Sequence, residues 1–365
     1  MAKAADYGLG PNTFPRGWFL IAESSELGQS PLALRFFARD FALYRGEDGK
    51  PVLLDAYCPH MQCHIAASDS AVIAKEGAQI EGSSIRCPYH GWRFGPDGVC
   101  DDIPYHDGPM PRAAKLTSYP VEEGIGGIWM WFDEDGSQPQ YPAPALDQWH
   151  QPQWIQWQMD HLGELPVQPQ EVIDNMADAR HLGPTHGAPC EYFENEWRDH
   201  IYIQRQGGFH KEYQAMLQTT TWYTGPGLLL SHQLFAEVES IEFIANTPVE
   251  DGVTKLWHGV LVNSGNSSPG EAEREQARQI QAGALDSLAS DFGIWQNKRA
   301  ATRVLQLKSD GPFARGRRWY KQFYQPVDQA KASSIDVNGV CHIPGLDEPP
   351  AGSRAVEEGF SSLHQ

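Results

Sequence analysis

From Trp18 to Phe132 the apolar residues come in short blocks separated by turn-forming residues, the pattern of strands. Trp18-Phe19-Leu20-Ile21-Ala22 is one such block. Phe41-Ala42-Leu43-Tyr44-Arg45 and Val52-Leu53-Leu54-Asp55-Ala56-Tyr57 flank Glu47-Asp48-Gly49, a hairpin signal. Gly127-Ile128-Trp129-Met130-Trp131-Phe132 closes the set. A small all-β domain is predicted here. Pro139, Pro142 and Pro144 mark a connector, and a second region begins near Trp154. It is predicted to hold an early helix from about Gln170 to Leu182 and β-like runs from about Ile201 to Val262. A long late helix follows, opened by Glu271, Glu273 and Glu275, where carboxylates suit the helix dipole. The tail after Ser333 reads as a surface wrap.

Composition narrows the function. The chain has 365 residues, enough for two domains. Its net charge of −19 repels phosphate backbones and anionic lipid, so nucleic acid and acidic membranes are poor partners. No run approaches the ~18 apolar residues of a membrane span. Met1 to Tyr7 lack the apolar core of a signal peptide, and the chain reads as cytoplasmic. In that reducing setting its 6 cysteines point to metal rather than to a disulfide framework.

Two of them sit in Cys58-Pro59-His60 and Cys87-Pro88-Tyr89-His90-Gly91-Trp92. Zinc knuckles usually pair Cys with Cys and His with His. Here each loop offers one of each, which suits a [2Fe–2S] cluster with both thiolates on one iron and both imidazoles on the other. Further on, Asn175-Met176-Ala177-Asp178-Ala179-Arg180-His181-Leu182-Gly183-Pro184-Thr185-His186 contains D-x2-H-x4-H. On a helix Asp178 and His181 share a face. Gly183-Pro184 is expected to end that helix and let His186 swing back toward a metal held by His181. Two imidazoles with open positions suit a ferrous ion completed by one carboxylate. The late helix carries an apolar stripe through Ile280, Ala284, Leu288 and Trp295, and Asp291 falls on it. A buried carboxylate is costly unless paired or bound to a cation, so Asp291 is the expected third ligand and Asp286 the solvated alternative. Asp178 can hold a ligand imidazole in one tautomer.

The first pair of boxes resembles a Rieske centre, and the second motif resembles the mononuclear iron site of Rieske non-haem iron oxygenases. Gln170-Glu171-Val172-Ile173-Asp174-Asn175 and Asp291-Phe292-Gly293-Ile294-Trp295-Gln296-Asn297-Lys298 resemble the 3-ketosteroid 9-alpha-hydroxylase group and its sterol-desaturase relatives. Met61-Gln62-Cys63-His64-Ile65 departs from the Gly-containing loop usual there. Respiratory Rieske proteins carry a disulfide that would join Cys63 to position 89, and Tyr89 stands there, which favours the oxygenase type.

The resemblance implies an α+β chain: a Rieske [2Fe-2S] domain over residues 15–138 and a helix-grip catalytic domain over 150–365, with residues 1–14 attached to it. The catalytic domain would have an antiparallel sheet and a long C-terminal helix. It implies a [2Fe–2S] cluster on Cys58, His60, Cys87 and His90, and Fe(II) on His181, His186 and Asp291, with dioxygen as co-substrate. Asp178 would bridge His181 to His90 of a neighbouring subunit in a homotrimer, while Asn175 tunes the iron's surroundings. The implied activity is hydroxylation of a hydrophobic, steroid-like or polycyclic substrate in a dry, apolar site. A separate reductase, with or without a ferredoxin, would bring electrons from NAD(P)H, since the chain has no dinucleotide fingerprint. Alternatives are an O- or N-demethylating monooxygenase of small aromatic compounds and, outside enzymes, a Rieske electron carrier.

Overall fold

The computed structural model describes residues 2–364 and divides into two compact units. Phe19–Phe132 with Gln138–Ala143 form one; the segments up to Trp18, Asp133–Ser137 and from Pro144 on form the other.

The first unit is built almost wholly of strands. Arg39–Arg45 pairs with Leu32–Phe36 on one side and with Pro51–Asp55 on the other, so the Glu47-Asp48-Gly49 turn closes a hairpin as its sequence predicts. A second four-stranded sheet runs Ile80–Glu81, Ser84–Arg86, Arg93–Phe94 and Cys100–Asp102. Trp129 and Trp131 are buried in Gly127–Phe132. Ala42, Tyr44, Leu54, Ile65, Ile85, Phe94 and Leu116 pack together around the side chains of Cys58, Cys87 and Cys100. The thiols of the two boxes therefore sit inside a hydrophobic cluster.

In the second unit a nine-stranded sheet runs in space from Trp154–Ile155 through Val253–Asn263, Val238–Glu250, Leu228–Phe235, Ala215–Thr224, Ile201–His210 and Tyr192–Arg198 to Gly339–His342, with Asp160–Leu165 also on Val253–Asn263. Its pairings are antiparallel, and the central strands are buried on both faces. One face lies under the helix Glu271–Asn297 and the segment 169–186. The other takes Phe360, whose ring lies 4.9 Å from that of Trp222, and Glu357, which pairs with the fully buried Arg205. The tail thus does more than wrap the surface. It adds an edge strand and closes the back of the sheet with charge as well as apolar area. Glu194, Glu196 and Glu357 surround Arg205, and Arg198 and Arg354 bind the same carboxylates from outside.

The expected helix from Gln170 to Leu182 is broken. Pro169–Ile173 is helical and Asp174–Ala177 is a 3-10 turn, after which Asp178 adopts an extended conformation. Asp178 and His181 therefore do not share a helical face. The Asp178 carboxylate instead accepts the backbone N–H groups of Arg180 and His181, a local turn that competes with the helix. Nor does Gly183-Pro184 end a helix: Leu182–His186 is a new one, and Pro184 lies in its first turn, where a missing N–H costs nothing. It ends at Gly187, in the left-handed region at φ 74°. Among the described residues, no helix is long and apolar enough to cross a membrane.

Candidate metal centres

In the first unit the two boxes share one backbone plan. The Cys58 N–H donates to the Cys63 carbonyl and the Cys87 N–H to the Trp92 carbonyl, in each case five residues on. The Cys58 carbonyl accepts from Gln62 and the Cys87 carbonyl from Gly91, and both of those residues are left-handed, at φ 56° and 75°. Glycine takes that conformation without strain; Gln62 does so against its Cβ. The equal loops bring the two thiols together and hydrogen-bond them, which lowers the pKa of Cys87 and raises that of Cys58. The rings of His60 and His90 lie 4.6 Å apart, and Trp92 stacks on His60 at 4.6 Å and 5°. Both cysteines are buried while His60 is exposed and His90 half-buried. Two inner sulfurs and two outer imidazoles in one place fit a [2Fe–2S] cluster with mixed ligation. Cys63 also hydrogen-bonds to Cys87.

In the second unit one ligand atom each from His181, His186 and Asp291 lies within 4.8 Å of the others. Asp291 Oδ2 is 3.4 Å from His186 Nε2. Asp291 is buried, as the stripe through Leu288 and Trp295 requires, whereas Asp286 is exposed. The His181 Nδ1–H donates to the Asp178 carbonyl oxygen at 2.7 Å, which leaves Nε2 for a metal. His186 Nδ1 bonds to the Ser287 hydroxyl at 3.1 Å and so presents Nε2 beside Asp291. Burial opposes charge on both members of the Asp178–His181 pair, yet their mutual hydrogen bond and attraction win, holding the Asp178 carboxyl low and the His181 ring high. Two imidazoles and one carboxylate facing a cavity fit a ferrous ion with positions left open for other ligands.

The backbone behind this set is pinned. Asn195 and Gln204, both buried, donate to the Met176 carbonyl at 2.8 and 3.1 Å, and the Ala179 N–H donates to the Asp310 carbonyl. Gly311, at φ 146°, lies so close to the Ala177 carbonyl that a Cβ there would stand 1.6 Å from its oxygen. Asn175 lines the cavity beside the three candidate ligands; Asp178 lies behind His181.

The cavity differs from a dry, apolar pocket. Leu182, Ala188, Ala284, Leu288 and Trp295 give it one apolar wall. The opposite wall is the sheet, where Leu217, Tyr223, Leu229 and Ile244 flank two polar rows: Gln204, Thr221, Ser231 and Glu242 stand in one register row across four strands, with Gln206, Thr219 and Gln233 in the next. Sequence reasoning named neither row, nor Ser287. The available signals were a carboxylate between Ile241 and Phe243 in an apolar strand, and a hydroxyl one turn before Asp291.

Similarity to a Rieske [2Fe-2S] domain and to monooxygenase oxygenase components makes the chain a Rieske-type monooxygenase. A Rieske [2Fe-2S] domain model matches residues 17–120, and a model of the 3-ketosteroid 9alpha-hydroxylase C-terminal domain matches residues 130–324. The chain belongs to that 3-ketosteroid 9alpha-hydroxylase family. It is 28% identical over 341 residues to a 3-ketosteroid-9-alpha-monooxygenase oxygenase component of Rhodococcus rhodochrous, covering 89% of this chain and 86% of the relative. With a cholesterol 7-desaturase of Ciona intestinalis it shares 28% identity over 360 residues, covering 90% and 73%. The crystal structure of dicamba monooxygenase bound to dicamba has the same fold, with a TM-score of 0.65 at 20% identity, covering 87% and 98%.

Proposed function

We propose that this chain is the oxygenase component of a multicomponent monooxygenase that hydroxylates a steroid-like or polycyclic substrate. The observation that carries this reading is the His181–His186–Asp291 set opening on a cavity with an apolar wall and, among the described residues, no Lys or Arg in its lining. When bound, a ferrous ion in that set and a [2Fe–2S] cluster between the two loops supply dioxygen activation and the electrons for it.

The residues of the chain do the rest. The Asp178 carbonyl and the Ser287 hydroxyl fix the tautomers of His181 and His186, so both Nε2 atoms face Asp291. Leu182, Leu288 and Trp295 exclude water beside the reacting position. Asn175 shapes the surroundings of the ion without binding it. Asp178, tied to His181, is the entry point for electrons from His90 of a neighbouring copy in a homotrimer. A reductase, directly or through a ferredoxin, draws the electrons from NAD(P)H, and the system works in the cytoplasm. The relatives named for 3-ketosteroids and cholesterol support a steroid. A small aromatic acid would sit here with no cation to pair its carboxylate.

The test is coupled oxygen consumption by the iron-loaded protein with a surrogate reductase, offered steroids beside methoxylated and N-methylated aromatics. A steroid that gains one oxygen while reductant is used in step is the expected result. Formaldehyde released from the aromatics overturns the substrate reading in favour of a demethylase.

A further inference from the structure

The polar wall of the cavity ends at a carboxylate that the proposed iron chemistry does not use. Among the described residues, Glu242 is the one carboxylate in the lining besides Asp291. It sits beside Ser231 in the register of the sheet, at the end of the row that starts at Gln204. Its Oε2 accepts from the Gln233 amide at 2.7 Å and its Oε1 from His258 Nε2 at 3.1 Å. His258 is fully buried, and its Nδ1 bonds to Asp160 at 2.9 Å. Asp160 in turn accepts from Gln281 of the long helix at 2.9 Å. The ring is thus clamped between two carboxylates. Burial pushes its pKa down, but the hydrogen bonds and attraction of Glu242 and Asp160 outweigh burial and raise it. With a carboxylate against each ring nitrogen, His258 donates to Glu242 on one side and to Asp160 on the other, so both Glu242 oxygens are engaged as acceptors in the cavity wall.

An ionised carboxylate only accepts hydrogen bonds and has about four lone-pair positions. Two are taken by Gln233 and His258. The neighbouring hydroxyls give it no further donor, because Thr221 and Ser231 bond to each other at 2.7 Å. Two strands from Glu242, in the next register row, the Thr219 hydroxyl is buried in the same wall, and among the described residues it has no partner. Leaving such groups without a partner in a buried wall is unfavourable, so the wall calls for a ligand with a polar end.

We infer that Glu242, held by Gln233 and His258, receives a hydroxyl group on the substrate, so the substrate is a hydroxylated steroid or polycycle rather than its ketone. A hydroxyl donates to the carboxylate. A ketone can only accept, and would set its oxygen against the acceptor oxygens of Glu242. The inference rests on the steroid reading above and deepens it.

The test compares two saturated steroids that differ only in a 3β-hydroxyl or a 3-ketone, titrated calorimetrically into the iron-loaded protein. A hydrogen bond to a charged acceptor corresponds to about tenfold or more in affinity, and the wild type is expected to prefer the alcohol by that factor. Glu242→Gln, which keeps the shape and removes the charge, is expected to bring the ratio near one. The wild-type ratio stands by itself if the variant does not fold. Equal binding of both steroids, preference for the ketone, or an unchanged ratio in folded Glu242→Gln overturns the inference and leaves the steroid reading intact. If neither steroid binds, the steroid reading falls and takes this inference with it.

Discussion

Replacing Arg205 by Met keeps most of the stem volume and deletes a charge that three carboxylates share. Arg205 and Glu194 are fully buried, and Glu196 and Glu357 nearly so. Removing one partner of a buried ion pair costs about 3–5 kcal/mol because it strands the other charge. Here the stranding is partial: Arg354 still binds Glu194 at 2.7 Å, and Arg198 still binds Glu196 at 2.6 Å. The loss should therefore fall at the low end, about 3 kcal/mol. At roughly 2–4 °C per kcal/mol for a unit of this size, the midpoint should drop by about 6–12 °C. Differential scanning calorimetry of Arg205→Met reads this directly. A midpoint within about 2 °C of wild type would refute the reasoning, since it would mean that the three carboxylates are satisfied without the guanidinium.

Two further outcomes are expected. Ser287→Ala removes the hydroxyl that bonds His186 Nδ1; losing the partner of a ligand histidine costs about 10–100-fold in metal affinity, and because Ser287 is exposed and water can replace it, Fe(II) competition titration should show about tenfold. His200 has its pKa pushed down to about 4 by burial, so the unfolded chain binds the extra proton between pH 6.5 and 4. Stability from this group is complete above pH 6.5 and is lost as pH falls toward 4, at up to about 1.4 kcal/mol per pH unit. Urea unfolding of His200→Phe across that window should give a flatter profile, and an unchanged slope would count against the assignment.

What was legible in the chain was what neighbouring residues decide among themselves. The stripe through Leu288 and Trp295 put Asp291 on the inner side of its helix because that period is local. The two Cys/His boxes were legible because each loop is complete within a few residues. The break at Asp178 was not, although its cause is also local: spacing alone does not tell whether a carboxylate points along a helix or folds onto the next two N–H groups. Pro184 was read as a stop when it starts a helix, since the same ring suits the first turn and forbids the interior. Ser287 and His186 are 101 positions apart, and His258 and Asp160 are 98 apart. The first pair meets where the long helix packs on the short one, the second through the register of two paired strands, and neither is encoded in the alternation along one segment.

The division of labour between helices and sheet has a consequence for how this chain can change. The proposed iron ligands come from the loop at His181, the short helix ending at His186 and the long helix at Asp291. The wall that meets the far end of a substrate comes from side chains spaced two residues apart along strands about 4.8 Å apart. The strands are held by main-chain hydrogen bonds, so a side chain at one node of that lattice can be exchanged without moving the backbone around it. Oxygen chemistry and substrate choice are therefore separately mutable: a new preference can arise from one or two exchanges at positions such as Thr219, Gln233 or Glu242, while the reacting centre stays as it is.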